Sequence, residues 1–566
     1  MKQDAALRFP FVFEQIHSDL LDQSLPVQPD VIESLQSLGN TSDDWSLVRV
    51  RPGAVLTGVT GCHFSGHCVL GSRVSLRHTV FHDVAVDDDV RVHGCTTVRG
   101  YYLSARSVVE GSVLDHDRES LFGNDLAVPP AVEMSPYRVR LCAGMDWRAA
   151  VAALGGTADM AVHESAAADL VRQIDQTRGY VGAGAEIRGG AIVRRSYIGA
   201  GRVIEGAFTI EDSTLLGSFE RGTAACRGGG IIRRSILAPE AWVGDFGHCS
   251  ESMLFDRSSV DRGGQLSLSV LGYRTEVSQA EVTASVLGPL VGVHHKSLLI
   301  ACMWPSGLGN VGSGAQVGSN HTSRLPDQSM IGGEGMFFGL ATAIKFPANY
   351  RESPYSVVAT GLITAPQTVR FPFSLLTTLG DPPSDTPVGY NRIMPGWVIS
   401  HNFFSLLRNE LKFARRLGST AEAVKVIRAE TAEMVREALS RLDSISEPDE
   451  WYYDGTIPGI GRNVLLESDR RRGIAAYRDF LAYFDLRASI ENGTRVSREQ
   501  LAEGTDLLDR LRAKARDSRA RDFHRGVRIF SEYRQTHPEP DEDPELHAVL
   551  AILDQEQSSL LRLGPE

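Results

Sequence analysis

Cysteine is scarce in this chain of 566 residues: seven are present, an odd number, and no two are spaced as CxxC. That count closes no complete disulfide framework, and the spacing excludes zinc-ribbon and thioredoxin-type sites. No run of about 18 apolar residues occurs, so no transmembrane helix is expected. Met1 to Arg8 lacks an apolar signal core, and with the few cysteines this points to a reduced, cytoplasmic protein. Basic charge is also in short supply, 58 Lys and Arg against 70 Asp and Glu for a net charge of -12. Duplex binding rests on clustered cations, so a nucleic-acid partner is not expected. The local run Arg470, Arg471, Arg472 reads as helix surface.

What is abundant is glycine, 55 residues, together with a hydrophobic period of six. Val50, Leu56, Cys62, Cys68, Val74, Val80, Val86, Val92 and Val98 follow one another at that step. Neither a helix nor an ordinary strand recurs at six, whereas one short strand plus one tight turn does. Three such units make a triangular coil, the hexapeptide-repeat parallel β-helix, with the ladder pointing to its axis and glycine at the corners. The step returns at Ile198, Ile204, Ile210 and Leu216, at Leu254, Val260 and Leu266, and at Leu287, Val293 and Leu299. A longer repeat brings Gly189 to Ser196 back as Gly228 to Ser235, an offset of 39 that two coils of 18 plus three residues would explain.

The length calls for two or three structural units. Residues 1–45 read as a helical lead-in, opened at Pro29 and closed at Gly39, and 46–114 as a first β-helix block. Residues 115–178 break the period, and the spacing between Val162 and Thr177 predicts an inserted helical arm. The main β-helix resumes over 179–397. From 398 to 566 glycine thins out, and Ser419 to Glu422 and Ser497 to Gln500 have capping-box spacing, predicting an α-helical region. Such a region suits an open solenoid end, whose unpaired strand edges need cover.

The densest polar constellation lies between Leu290 and Lys345: His294, His295, Lys296, Asn310, Asn320, His321, Arg324, Glu334 and Lys345. If the segment from Pro305 to Asn310 loops out, Val293 and Val317 stack one coil apart and bring His294 or His295 beside His321. A neutral imidazole in a groove can take a proton from a hydroxyl or amine as it attacks a thioester, with an Asn or backbone N–H holding the oxyanion. His321 is then the base, His294 and His295 the further catalytic candidates, and Lys296, Asn310, Asn320, Arg324, Glu334 and Lys345 line the substrate. The competing reading makes these residues turn caps, and a third uses His294, His295 and His321 as zinc ligands. His63, His67, His78, His82 and His93 recur at 15, out of step with a coil of 18, and are expected to face solvent. Asp115, His116 and Asp117 read as a turn. The repeated pairs Arg194, Arg195 and Arg233, Arg234 read as solvated corners, with phosphate binding as the alternative.

These hexapeptides resemble the left-handed β-helix superfamily, whose best-known members are acyltransferases using acetyl-CoA or acyl carrier protein, usually as trimers with sites between subunits. The resemblance implies a mainly β fold with α, a single-stranded left-handed parallel β-helix carrying an inserted helical arm and an α-helical C-terminal region. The segments His294 to Ala301, Gly318 to Arg324, Gly333 to Gly339, Lys345 to Pro347, Phe371 to Leu375 and Met394 to Trp397 also resemble a family of long bacterial hexapeptide-repeat proteins without an assigned function. The expectation is a cytoplasmic transferase, forming a trimer or dimer, that moves an acyl group from an acyl-CoA or acyl carrier thioester to a small-molecule hydroxyl or amine. The alternatives are a non-catalytic scaffold or ligand-binding solenoid, and a sugar-nucleotide-related or His-metal enzyme. Nucleotidyltransferases carry a doubly wound domain ahead of their β-helix, and about 45 residues leave no room for one.

Overall fold

The computed structural model describes residues 23–130, 138–152, 154, 158–217, 223–318, 329–380, 386–417, 424–530 and 532–563. The chain divides into two compact units, one of residues 1–307 with 316–330, the other of 308–315 with 331–566.

The first unit is a parallel solenoid of strands two to five residues long on three faces. The first face starts at Gly58–Thr60, the second at Thr41–Ser42 and the third at Val48–Val50, with Leu25–Pro26 antiparallel to it, so the segment read as a helical lead-in holds the helix Pro29–Ser37 and also supplies strands to the solenoid. Each strand pairs in parallel with the one a coil later, for example Phe64 with Phe81 and Val181 with Ile198. These registers, and those of Val277 with Val293 and Val282 with Leu299, make a coil of 16 or 17 residues. Residues pointing to the axis therefore recur at five or six: Phe64, Leu70, Leu76, Phe81, Val86, Val92 and Val98 are all fully buried. The strict six-step ladder fails at Val80, which is 42% exposed, while Phe81 takes the inward place and stacks on Phe64 at 5.5 Å. Cys62, Cys68 and Val74 are buried two residues ahead of the axis positions, so the ladder changes column where a coil is one residue short.

The offset of 39 has the same origin. Val193 pairs with Ile210 at 17 residues and Ile210 with Ile232 at 22, a single longer coil rather than two coils of 18 with an insertion. Corners are not left to glycine, since Arg73, His78, Asp83 and Asp89 also adopt left-handed backbone there.

One corner carries a column of buried hydroxyls. The Ser196 N–H donates to Tyr101 Oη, and the backbone N–H groups of Ser213, Ser235, Ser252, Ser269 and Ser285 each donate to the serine Oγ one coil before, at 3.0–3.2 Å. Each of these Oγ atoms, like that of Ser196, donates in turn to the carbonyl two residues earlier in its own chain. Donors that the corner would otherwise bury unpaired are thus satisfied.

The third face is buried on both sides, as the strands Cys68–Leu70, Tyr101–Leu103 and Gly179–Val181 show. Its outer side is covered by the inserted arm, which contains the antiparallel pair Ala127–Val128 and Val139–Arg140 and the helices α1 (Trp147–Ala152) and α2 (Ala158–Gln173). Leu141, Met145, Ala149 and Leu170 of the arm join Tyr102, Tyr180, Tyr197, Met253 and Phe255 in one apolar cluster. Gly123 lets the arm approach the coils closely: its φ is +79, and a Cβ there would lie 2.9 Å from the Ser235 nitrogen. Asn124 then donates to Thr214 Oγ1 at 3.2 Å, pinning the arm to the coil.

The second unit also contains parallel coils, with Asn310 paired to Phe337, Phe337 to Val357 and Val357 to Leu375. The antiparallel strand Asn391–Met394 pairs with Leu375–Thr377 and ends the parallel stacking. Helices α3 (Trp397–His401), α4 (Phe403–Leu417), α5 (Ala429–Asp443), α6 (Glu467–Asn492), α7 (Arg498–Ile529), α8 (Tyr533–Thr536) and α9 (Pro544–Leu563) follow. Ser497 caps α7 with the reciprocal bonds to Gln500 expected of a capping box, whereas the box at Ser419 lies outside the described residues. Arg392 meets Asp469, wholly buried, through two bonds of 2.7 and 3.0 Å, tying the last strand to α6. Among the described residues no helix is long and apolar enough to cross a membrane.

Candidate functional site

The arm leaves the solenoid after Asp115 and returns at Gly179, and a cleft of about 340 Å³ opens between its two ends and the second face. His82, Asp83, Arg99 and Gly100 come from the coils, His116 and Asp117 from the departing chain, Thr177 and Arg178 from the returning one. The local folding follows from register. His82, Arg99 and Asp115 stack in one outward column, each paired with the next. Gly100 has φ +64, and a Cβ on it would stand 2.6 Å from the His116 carbonyl, so the chain turns outward here only over glycine.

The charges are mostly committed. Arg99 Nε donates to Asp115 at 2.6 Å. Asp117 takes a 2.7 Å bond from Arg195, whose guanidinium holds its carboxyl below the usual range and also reaches Glu211 and Asp212. The two carboxylates flanking His116 therefore diverge from it. Asp83 accepts from the His67 N–H at 2.8 Å and lies 3.0 Å from His82 Nε2, while Ser65 Oγ sits 2.9 Å from His82 Nδ1. His116 is 6% exposed, and burial pushes its imidazole below the ordinary histidine value. Its Nε2 is 2.8 Å from the Gln176 carbonyl, an acceptor, so Nε2 carries the proton and Nδ1 keeps its lone pair. Nδ1 is buried and has no hydrogen-bond partner among the described residues. Arg178, half-buried, has no ion-pair partner among the described residues.

The constellation expected from sequence fares differently. Asn320, His321 and Arg324 lie outside the described residues. Val317 pairs with Leu299 on the second face and Val293 with Val277 on the first, so the stacking meant to bring His294 beside His321 does not occur. His294 and His295 have ring centroids 6.0 Å apart, and His295 and Lys296 form a left-handed corner exposed to solvent. Asn310, Glu334 and Lys345 belong to the second unit. There Asn310 lies on a strand, Lys345 is half-buried beside Ile344, and Glu334 accepts from Tyr355 Oη and, at 2.8 and 2.6 Å, from Arg428. Glu334 is thereby an anchor for the start of α5. Among the described residues no group of three His, Cys, Asp or Glu side chains is arranged to hold a metal. Of the corner arginines, Arg194 is exposed, Arg233 pairs with Glu211 and Arg234 with Glu251, whereas Arg195 is buried in the ion pairs described above rather than solvated. The sequence pattern does not mark Thr177 and Arg178 as site residues, because only the return of the arm to Gly100 brings them to the cleft that His82 lines; the broken period at Asp115 is the signal that points there.

Fold and cleft define a class, a three-faced parallel β-solenoid in which an inserted arm walls a polar cleft. The chain belongs to the family described as domain of unknown function (DUF4954), which it matches over residues 25–387. It is also similar to a protein of Treponema pallidum (strain Nichols) described as uncharacterized, 27% identical over 195 residues, 34% of this chain and 26% of that protein. The chain thus spans about a quarter of the length of that curated relative.

Proposed function

We propose that the protein binds a small polar molecule bearing an anionic group in the cleft between His82 and Arg178. The observation that carries this reading is Arg178, a cation without a counter-charge among the described residues, facing a cleft whose carboxylates are already engaged. A guanidinium so placed recognises carboxylate or phosphate by paired N–H donors, and Thr177 and His82 add groups for hydroxyls. The test is calorimetric titration of the full chain with sugar phosphates, acyl-CoA and small carboxylates. Binding that is lost in Arg178→Ala and kept in His295→Ala supports the cleft; binding equal in both variants overturns it.

His116 favours a second reading, acyl transfer from an acyl-CoA or acyl carrier thioester to a hydroxyl or amine of the bound molecule. A neutral imidazole oriented through Nε2–H is in the state a general base requires, and exposing Nδ1 to the cleft would complete it. Thioester turnover abolished in His116→Gln assigns the chemistry to this cleft; turnover abolished only in His321→Ala assigns it to the constellation inferred from sequence. We also propose a reduced, cytoplasmic setting, supported by seven cysteines that are all free and buried. Self-association as a trimer or dimer remains part of the transferase reading, and light scattering on the purified chain tests it.

A further inference from the structure

Arg202 occupies a place that in neighbouring coils holds a small residue. It stands two residues ahead of the axis residue Ile204, where the corresponding positions are Ser107, Ala185, Ala241, Ser258, Thr275 and Val291. Its guanidinium is fully buried, as are the side chains of its neighbours on that column. One local cause is visible: the strands Arg202–Glu205 and Thr223–Arg227 slip register between Val203 and Ile204, so Ala225 is an extra residue opposite no partner. Arg202 Nη2 reaches past that bulge to donate to the Ala241 carbonyl, one coil further on. This bond uses one of five N–H groups. Nε and Nη1 remain buried without a hydrogen-bond partner among the described residues.

A second polar atom in the same corner is in the same state. The carboxylates of Glu240 and Asp256 lie close enough to Arg202 to interact with it electrostatically. Asp256 Oδ1 is buried and unbonded, and burial raises its carboxyl to about 6 against the pull of Arg257 and Arg202, with Glu240 adding to the rise. Arg202 in turn is lowered to about 10 by burial, with Glu240 and Asp256 opposing. The groups feel one another electrostatically without a bond between Arg202 and Asp256. A buried guanidinium with idle donors costs free energy that a compact anion would recover, since charge-assisted bonds in a low-dielectric corner are strong.

We propose that Arg202 is the core of an internal site for a small monovalent anion of halide size, held by the free Nε–H and Nη1–H groups and opposed by the Asp256 carboxylate. The site is separate from the cleft and does not depend on it. Thermal unfolding of the full chain is followed as chloride replaces gluconate at constant ionic strength. The wild-type midpoint is expected to rise saturably with chloride, by linkage to a site present only in the folded state. Arg202→Met is expected to lose that response, and Asp256→Asn to saturate at lower chloride because a repelling charge is gone. A midpoint indifferent to chloride in the wild type, or one that responds equally in Arg202→Met, overturns the proposal. Should Arg202→Met fail to fold, crystals of the wild type grown in bromide decide it: an anomalous peak bonded to the guanidinium supports the site, and its absence there refutes it.

Discussion

His116 illustrates how a single side chain couples the arm to pH. Its proton affinity in the folded chain lies below that of an exposed histidine because burial disfavours the imidazolium. Unfolding therefore takes up a proton once the pH falls below the ordinary value of about 6.5, and the stability His116 contributes is whole above that pH and shrinks beneath it. The expected result is a thermal midpoint that declines on acidification from about pH 7 to about pH 5 more steeply in the wild type than in His116→Gln. Parallel declines in the two proteins would show that His116 titrates freely. Neighbouring Asp115 and Asp117 were legible only as turn residues. Their commitment to Arg99 and Arg195 rests on partners one coil and one arm away, which a linear spacing does not reveal.

At the scale of the element, the coil of 16 or 17 residues makes a sharp distinction between adjacent positions. Phe81 is fully buried and stacked, whereas Val80 points outward. Phe81→Ala is expected to cost about 3–5 kcal/mol and Val80→Thr less than about 0.5 kcal/mol, measured by denaturant unfolding. The reverse order would restore the strict period of six. The serine column gives a second prediction at this scale. Ser235→Ala removes the acceptor for the Ser252 N–H in a buried corner, and a loss of about 1–3 kcal/mol is expected in the same measurement. Repeating solenoid architecture was readable because aliphatic residues recur near six; the register was not, because a shortened turn slides the inward set by one residue while the apolar composition stays the same.

For the whole molecule, the helical region is fastened to the coils of its own unit by buried ion pairs rather than by apolar contact alone. Asp469 is wholly buried against Arg392, so Asp469→Ala leaves a guanidinium without its counter-charge. That variant is expected to lose about 3–5 kcal/mol in denaturant unfolding, with ligand binding at the cleft unchanged under folding conditions. Glu334 belongs to the same kind of fastening through Arg428 and Tyr355.

The sequence by itself determined the repeating parallel coil, the presence of helical regions beside it and the loss of the coil period where they occur, since each of these is a matter of local period and glycine content. It also marked Ser497 as a helix start, because a capping box closes within four residues. Only the tertiary structure decided which polar residues meet. His82 and Arg99 share a cleft with Arg178 because a coil length one or two residues short of 18 stacks one column, and because the arm returns over Gly100. Arg202 came to lie inside because one coil carries extra residues and a bulge. Local period is set by neighbours in the chain, whereas a site is set by the sum of every turn length between its members, and a single residue more or less redirects it.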